Sequence, residues 1–213
     1  MKLYSADLSP YAARARISIY AKKLPVEIVS PPASGIKSDE YLRLNPMGRL
    51  PVLVLDDGVS IPESETIVEY LEDAFPDPAL RPHGAEARAR VRLIARVAEL
   101  YVLTPLQPMF AQMNPATRDQ AVVDAQFIKL NEGLAYLETF IEGPYAAGDK
   151  FTTADCEVTP VLFFVSTISA GLGRPELLQE HAKATAYFAH AKTDPVLAKV
   201  IGEMAEGLKN FRR

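Results

Sequence analysis

A serine placed directly before a proline, Ser9-Pro10, opens a run in which Ala13, Ile17, Tyr20 and Ala21 recur at helical spacing. Proline suits the first helical position, and serine suits the residue before it, where its oxygen accepts an early backbone N–H. Two uses of that hydroxyl are open. It is a cap, or it donates to a bound thiolate, since a helix N-terminus favours an anion and lowers the ordinary thiol pKa of ~8.5. Leu50-Pro51, ahead of Val52-Leu53-Val54-Leu55, also has two readings. A proline at a strand start loses no ladder bond, whereas a cis peptide there turns the Leu50 backbone outward to pair with an extended ligand peptide. Glu63-Ser64, after Ile61-Pro62, is the third arrangement. It either starts a helix or presents a carboxylate and backbone donors to an amino-acid head group.

These residues need elements to hold them. Lys2 to Ala6 reads as a strand, Pro10 to Lys22 as a helix, and Val26 to Val29 and Pro51 to Leu55 as further strands. Asp56-Asp57-Gly58 signals a tight turn into Val59-Ser60-Ile61, and a helix from Ser64 to Phe75 comes next. The proline-rich stretch from Phe75 to Pro82 breaks the pattern. Beyond it the period is helical throughout, in segments 84–112, 115–141, 153–170, 175–191 and 195–209. Asn114-Pro115 and Asp194-Pro195 read as helix starts, and Thr152 with Asp155 has the form of a capping box. Thr104-Pro105 and Pro108 imply a bend in the first of these helices. The expected organisation is a small α/β domain over residues 1–77, a linker over 78–84 and an all-helical domain over 85–213.

Composition narrows the function classes. The 213 residues are 48% hydrophobic and 23% charged, with a net charge of −4 and no Lys/Arg run to meet a nucleic acid or a membrane surface. The longest apolar run, Val158 to Ala170, carries Thr159, Ser166, Thr167 and Ser169 and reads as a buried helix. A single cysteine, Cys156, excludes an intrachain disulfide or a cysteine-based metal site. His83, His181 and His190 have no metal-ligand pairing, so no metal is expected and the cytoplasm is the expected location.

Four segments in register carry a resemblance. "SPYAARAR" (Ser9 to Arg16), "NPMGRLPVL" (Asn45 to Leu53), "IPESETIVEYLED" (Ile61 to Asp73) and "GDKFTTAD" (Gly148 to Asp155) resemble the cytosolic glutathione transferases in order and spacing, over the whole chain. The resemblance is to the serine-type members, tau-, phi-, zeta- or theta-like. It implies a thioredoxin-like α/β N-terminal domain (βαβ, then a β-hairpin and a helix) and an all-α C-terminal helical bundle. It also implies glutathione as co-substrate, no metal, and a homodimer.

By that resemblance Ser9 stabilises the glutathione thiolate, and Leu50 and Pro51 pair with the cysteinyl unit. Glu63 and Ser64 hold the γ-glutamyl group, Lys37 and Arg49 meet the glycyl carboxylate, and Thr152 and Asp155 are structural. The implied activity is attack on a small hydrophobic electrophile or a peroxide, in a pocket between the domains. Tyr11, Tyr101, Pro105, Met109, Phe110 and Met113 are its candidate lining, with plain core packing as the other reading of each. Two departures matter. Ser9 stands where some relatives have the cysteine needed for thiol–disulfide exchange, and Ser9-Pro10-Tyr11 differs from the Ser-Ser-Cys run typical of the zeta isomerases. Tyr4, as a phenol in the first strand, fits the tyrosine-type pattern less well than Ser9 fits the serine pattern. A non-enzymatic binding or assembly module of the same fold, or a specialised glutathione-dependent isomerase, dehalogenase or ether-cleaving enzyme, are the alternatives.

Overall fold

Leu3 sits between Ile28 on one side and Leu53 on the other, and Ile61 pairs with Leu53 beyond it. These apolar residues place four short strands in the order β2-β1-β3-β4: β1 Lys2–Tyr4, β2 Glu27–Val29, β3 Val52–Val54 and β4 Ser60–Pro62. The β1–β2 pair is parallel, as a helical crossover requires, and the other two pairs are antiparallel. Helix α1 (Pro10–Ala21) makes the crossover, α2 (Asp39–Leu44) leads to β3, and α3 (Ser64–Ala74) comes after β4. Leu3, Ala15, Ile19, Leu53, Ile67 and Leu71 form the core between this sheet and α1 and α3, nearly inaccessible to water. Each such large aliphatic side chain stabilises the fold by roughly 1.5–3 kcal/mol. The α/β thioredoxin-like arrangement expected of the N-terminal part is present.

The computed structural model describes residues 1–211, and its compact units are Met1–Leu80 with the chain from Pro195 onward, and Arg81–Asp194. This corrects the expected division. The last helix, α9 (Pro195–Phe211), belongs to the first unit, where it packs on α1. Every residue of α1 from Ala12 to Ile19 is therefore buried, Arg14, Arg16 and Ser18 included. The first unit also extends past residue 77, because Lys22 and Glu72 anchor the segment from Phe75 to Leu80. The Lys22 ammonium, in a buried ion pair with Glu72, donates 2.8 Å bonds to the carbonyls of Phe75 and Pro78, and the Glu72 carboxylate accepts the Leu80 N–H at 3.2 Å.

The second unit is all-helical: α4 (Ala85–Val97), a π-helical segment (Ala98–Leu103), α5 (Thr104–Ala111), α6 (Gln120–Phe140), α7 (Thr153–Gly171), a 3-10 turn (Leu177–Glu180) and α8 (Ala182–Ala191). Ahead of Pro105, where a bend was expected, the helix passes through the π segment. It brings the Tyr101 carbonyl so close to Gly133 on α6 that a Cβ there would lie 1.8 Å from the oxygen. Helix α6 begins after Asp119, which accepts the Ala121 N–H at 2.9 Å. Asn114 makes only a local turn, accepting the Ala116 N–H at 3.0 Å, so the start expected at Pro115 is displaced. The helix expected from Pro175 is split, and α8 starts where Glu138 of α6 accepts the N–H groups of Lys183 and Ala184 at 2.7 and 3.0 Å. Helix α7 is the buried centre of the helical unit, its Val158, Val161, Leu162, Phe164 and Val165 inaccessible or nearly so, which accounts for its apolar run. No helix among the described residues is long and apolar enough to span a membrane.

Candidate functional site

Tyr4, Val52 and Pro62 form one row across β1, β3 and β4. Just beyond that row the chain carries Pro51 immediately before Val52, Glu63 and Ser64 immediately after Pro62, and the loop from Ser5 to Ser9 after Tyr4. One end of the sheet thus gathers the N-termini of α1 and α3, whose unpaired N–H groups and dipoles favour negative charge. Arg14, buried on α1, ties the two together by donating to Ser64 Oγ at 3.2 Å, and its guanidinium lies 4.9 Å from the Tyr11 ring centre.

Ser9 is the N-cap of α1, its Oγ accepting the Ala12 N–H at 3.2 Å. That bond occupies one oxygen lone pair and leaves the hydroxyl proton as a donor for something else. The first turn of α1 has no acidic residue to neutralise it. Tyr4, in contrast, lies within β1 with its ring edge-on to Tyr41 at 5.8 Å, and it caps no helix.

Leu50-Pro51 is a cis peptide, the second of the two readings open to the sequence. The residues leading into it are fixed: Tyr41 Oη and Asn45 Nδ2 both donate to the Arg49 carbonyl at 2.8 Å. Lys37 is fixed beside them, its ammonium donating to the Met47 carbonyl at 3.0 Å. It crosses Gly48, whose φ of +57° and lack of a side chain make room, since a Cβ there would sit 2.8 Å from Lys37 Nζ. Glu63 is exposed and has a φ of +68°, a left-handed conformation costly for a residue with a Cβ. It precedes α3 without capping it through a side-chain hydrogen bond.

The six residues expected to line an electrophile pocket fall in both units, Tyr11 in the first and the other five in the helical one. Tyr11 lies on α1 next to Ser9 and under Arg14. In the helical unit, Tyr101 and Pro105 line a groove of about 370 Å³ with Leu100, Thr104, Pro108 and residues of α6. Met109 is fully buried core, Phe110 meets Phe164 edge-on at 5.0 Å, and Met113 reaches over Gly171.

Sequence reasoning overlooked Arg14 and Arg16 as parts of this end of the molecule. Their signal was present: two cations among alanines on a helix otherwise free of charge. Among the described residues no group of three or more His, Cys, Asp or Glu is placed to hold a metal ion, and Cys156 is buried in α7.

Comparison with known proteins agrees with this architecture. Family models for the glutathione S-transferase N-terminal and C-terminal domains match residues 3–79 and 120–190. A stringent starvation protein A homolog of Coxiella burnetii is 34% identical over 76% of this chain and 75% of its own. A probable maleylacetoacetate isomerase of Caenorhabditis elegans is 31% identical over 80% of this chain and 81% of its own. A glutathione S-transferase of Methylobacterium radiotolerans, solved with glutathione sulfonate, superposes with a TM-score of 0.78 at 27% identity, covering 94% of this chain and 93% of that one.

Proposed function

The chain belongs to the glutathione S-transferase family, and on that premise we propose that it activates glutathione as a thiolate for attack on a small hydrophobic electrophile. The observation that carries the reading is the open helix start at Ser9, beside cis-Pro51 and the α3 N-terminus. The Ser9 hydroxyl donates to the glutathione sulfur while its oxygen keeps the Ala12 N–H. A hydrogen bond to a charged group contributes roughly 1.5–3 kcal/mol. A helix N-terminus adds roughly 0.3–1 kcal/mol. At about 1.36 kcal/mol per pH unit, these together lower a thiol of pKa ~8.5 by roughly one to three pH units.

The rest of the tripeptide is read along the same end of the sheet. Leu50 pairs with the cysteinyl backbone next to Pro51. The strained Glu63 offers its carboxylate to the γ-glutamyl ammonium, and Ser64 with the first N–H groups of α3 takes that group's carboxylate, Arg14 holding Ser64 in place. Lys37 and Arg49 meet the glycyl carboxylate. The thiolate then forms the bond to carbon as the electrophile's leaving group departs with the displaced electron pair, with Tyr11 next to the reacting sulfur.

A second reading is a glutathione-dependent isomerase, favoured by the likeness to the nematode isomerase. The same thiolate would add to a conjugated double bond, allow rotation and leave. A third, a binding module without catalysis, is raised by the starvation-protein relative. Titrating the ultraviolet absorbance of bound glutathione thiolate tests the shared step. Wild type should ionise it below pH ~8.5 and Ser9→Ala about one to two pH units higher. An unchanged titration in that variant sinks the role of Ser9, and a protein that retains no glutathione on an affinity column is the binding module. Product analysis with an aryl halide against a cis-configured conjugated diacid separates transferase from isomerase.

A further inference from the structure

We propose that Arg16 and the C-terminal helix α9 form a brace that positions the Ser9 loop, with Glu203 and Gly207 as its contact points. Arg16 is fully buried on α1, and its guanidinium grips the loop along its length. Nη1 donates to Ser5 Oγ at 2.7 Å and to the Ala6 carbonyl at 3.0 Å, and Nη2 donates to the Asp7 carbonyl at 2.8 Å. Three successive residues of the loop are therefore fixed by one planar cation. The next anchored group is Ser9 itself, whose N–H donates to the Ala6 carbonyl at 3.0 Å, the same oxygen that Arg16 holds.

Helix α9 completes the grip from outside the loop. Glu203 Oε2 lies 2.9 Å from Arg16 Nε, and Glu203 Oε1 accepts the Tyr20 hydroxyl at 3.0 Å, so the carboxylate orients the guanidinium from a second helix. Burial and this carboxylate push the Tyr20 phenol up to about 12, which keeps it a donor to Glu203. One turn further on, Gly207 lies directly over the loop. A Cβ there would sit 2.8 Å from the Leu8 nitrogen and 3.0 Å from Asp7 Cβ. Gly202, on the same helix, has nothing within 4 Å of the corresponding position. The close approach is thus confined to the turn that faces the loop. A buried cation needs its counter-charge, and one that binds three loop residues transmits any loss of that charge to all of them. Arg16, Glu203 and Gly207 are positioning residues; none is required to touch the ligand.

The brace rests on the reading of Ser9 as the thiolate donor, and its test is arranged to separate the two. The pKa of bound glutathione thiol, kcat, and the glutathione dissociation constant are measured for wild type, Ser9→Ala, Glu203→Gln, Gly207→Ala and Gly202→Ala. Hydrogen exchange of the Ser9 amide is followed in parallel. Gly207→Ala and Glu203→Gln should raise the thiol pKa by roughly half to one pH unit, equivalent to a roughly 3–10-fold loss of thiolate at low pH, with the dissociation constant changed less than about twofold. The Ser9 amide should exchange faster in both, and Gly202→Ala should match wild type. If Ser9→Ala raises the thiol pKa while Gly207→Ala and Glu203→Gln do not, the brace is overturned and the function stands. If Ser9→Ala changes nothing, the role of Ser9 fails, and unaltered Ser9 exchange in the α9 variants then rejects the brace on its own account. Equal effects of Gly202→Ala and Gly207→Ala overturn it as well.

Discussion

The helices α7 and α1 each begin on a hydroxyl-bearing residue, and they end up with opposite characters. At α7, Thr152 and Asp155 close on each other. Asp155 accepts the Thr152 N–H at 2.7 Å, the Thr152 hydroxyl at 3.2 Å and the Ala146 N–H at 2.8 Å, all out of contact with water. At α1, Ser9 accepts a single N–H, is partly exposed and has no acid in the first helical turn. A closed cap commits its donors to the fold, whereas an open one keeps them for a ligand. The difference lies in the residue three positions on, aspartate after Thr152 and alanine after Ser9.

The largest expected effect comes from the closed cap. Asp155→Ala leaves two buried N–H groups without their acceptor and should cost about 2–4 kcal/mol of stability, with a Tm lower by roughly 5–15 °C in calorimetry. Activity per folded molecule should be unchanged; a large catalytic loss would erase the contrast between the caps. The same carboxyl makes a pH test. Burial pushes its pKa up to about 6, against the bonds from Ala146, Thr152 and Tyr187 that lower it. Its pKa is thus raised on folding, so the stability it contributes is complete below pH ~4 and is lost as pH rises through about 6. Wild type minus Asp155→Asn stability, measured by denaturant titration, should therefore fall over that window.

Ser9→Ala inverts the pattern. We expect a roughly 10–100-fold loss of kcat at pH ~6.5, matching the one to two pH units assigned to its hydroxyl, and only about 1 kcal/mol of stability. Planting the closed cap's acid at the open one, Ala12→Asp, sharpens the comparison further. The new carboxylate would compete for the donors of α1 and should weaken glutathione binding in calorimetric titration. Smallest is Glu63→Gly, which relieves the +68° backbone and should raise stability by roughly 0.5–1 kcal/mol while weakening glutathione affinity.

The cap residues themselves were legible in the sequence, because caps, turns and proline positions are local. The alternation of β1 to β4, the Asp57-Gly58 turn and the Thr152–Asp155 box likewise depend on neighbours in the chain. What escaped depends on residues far away. The short α2 has too few turns to show a period, and its Tyr41 is buried by the Arg49 loop. The π segment packs its Tyr101 carbonyl against Gly133 of α6, and the break before α8 meets Glu138 on another helix. The role of Arg16 depends on Glu203, which lies 187 positions further along the chain on α9. The periodicity of α9 showed a helix with one apolar side; nothing in it told which unit that side would join.

The order in which the chain is made gives that last helix a further meaning. The whole helical unit lies between Arg16 and Glu203 in sequence, and a contact so remote closes late and slowly. A nascent chain can assemble the four-stranded sheet as soon as β4 and α3 have emerged, yet it leaves the exposed side of α1 and the Ser5–Leu8 loop without their cover until α9 appears. The first unit to be synthesised is then the last to be completed, and a ribosome-bound chain lacking α9 would carry a formed sheet with an unset serine.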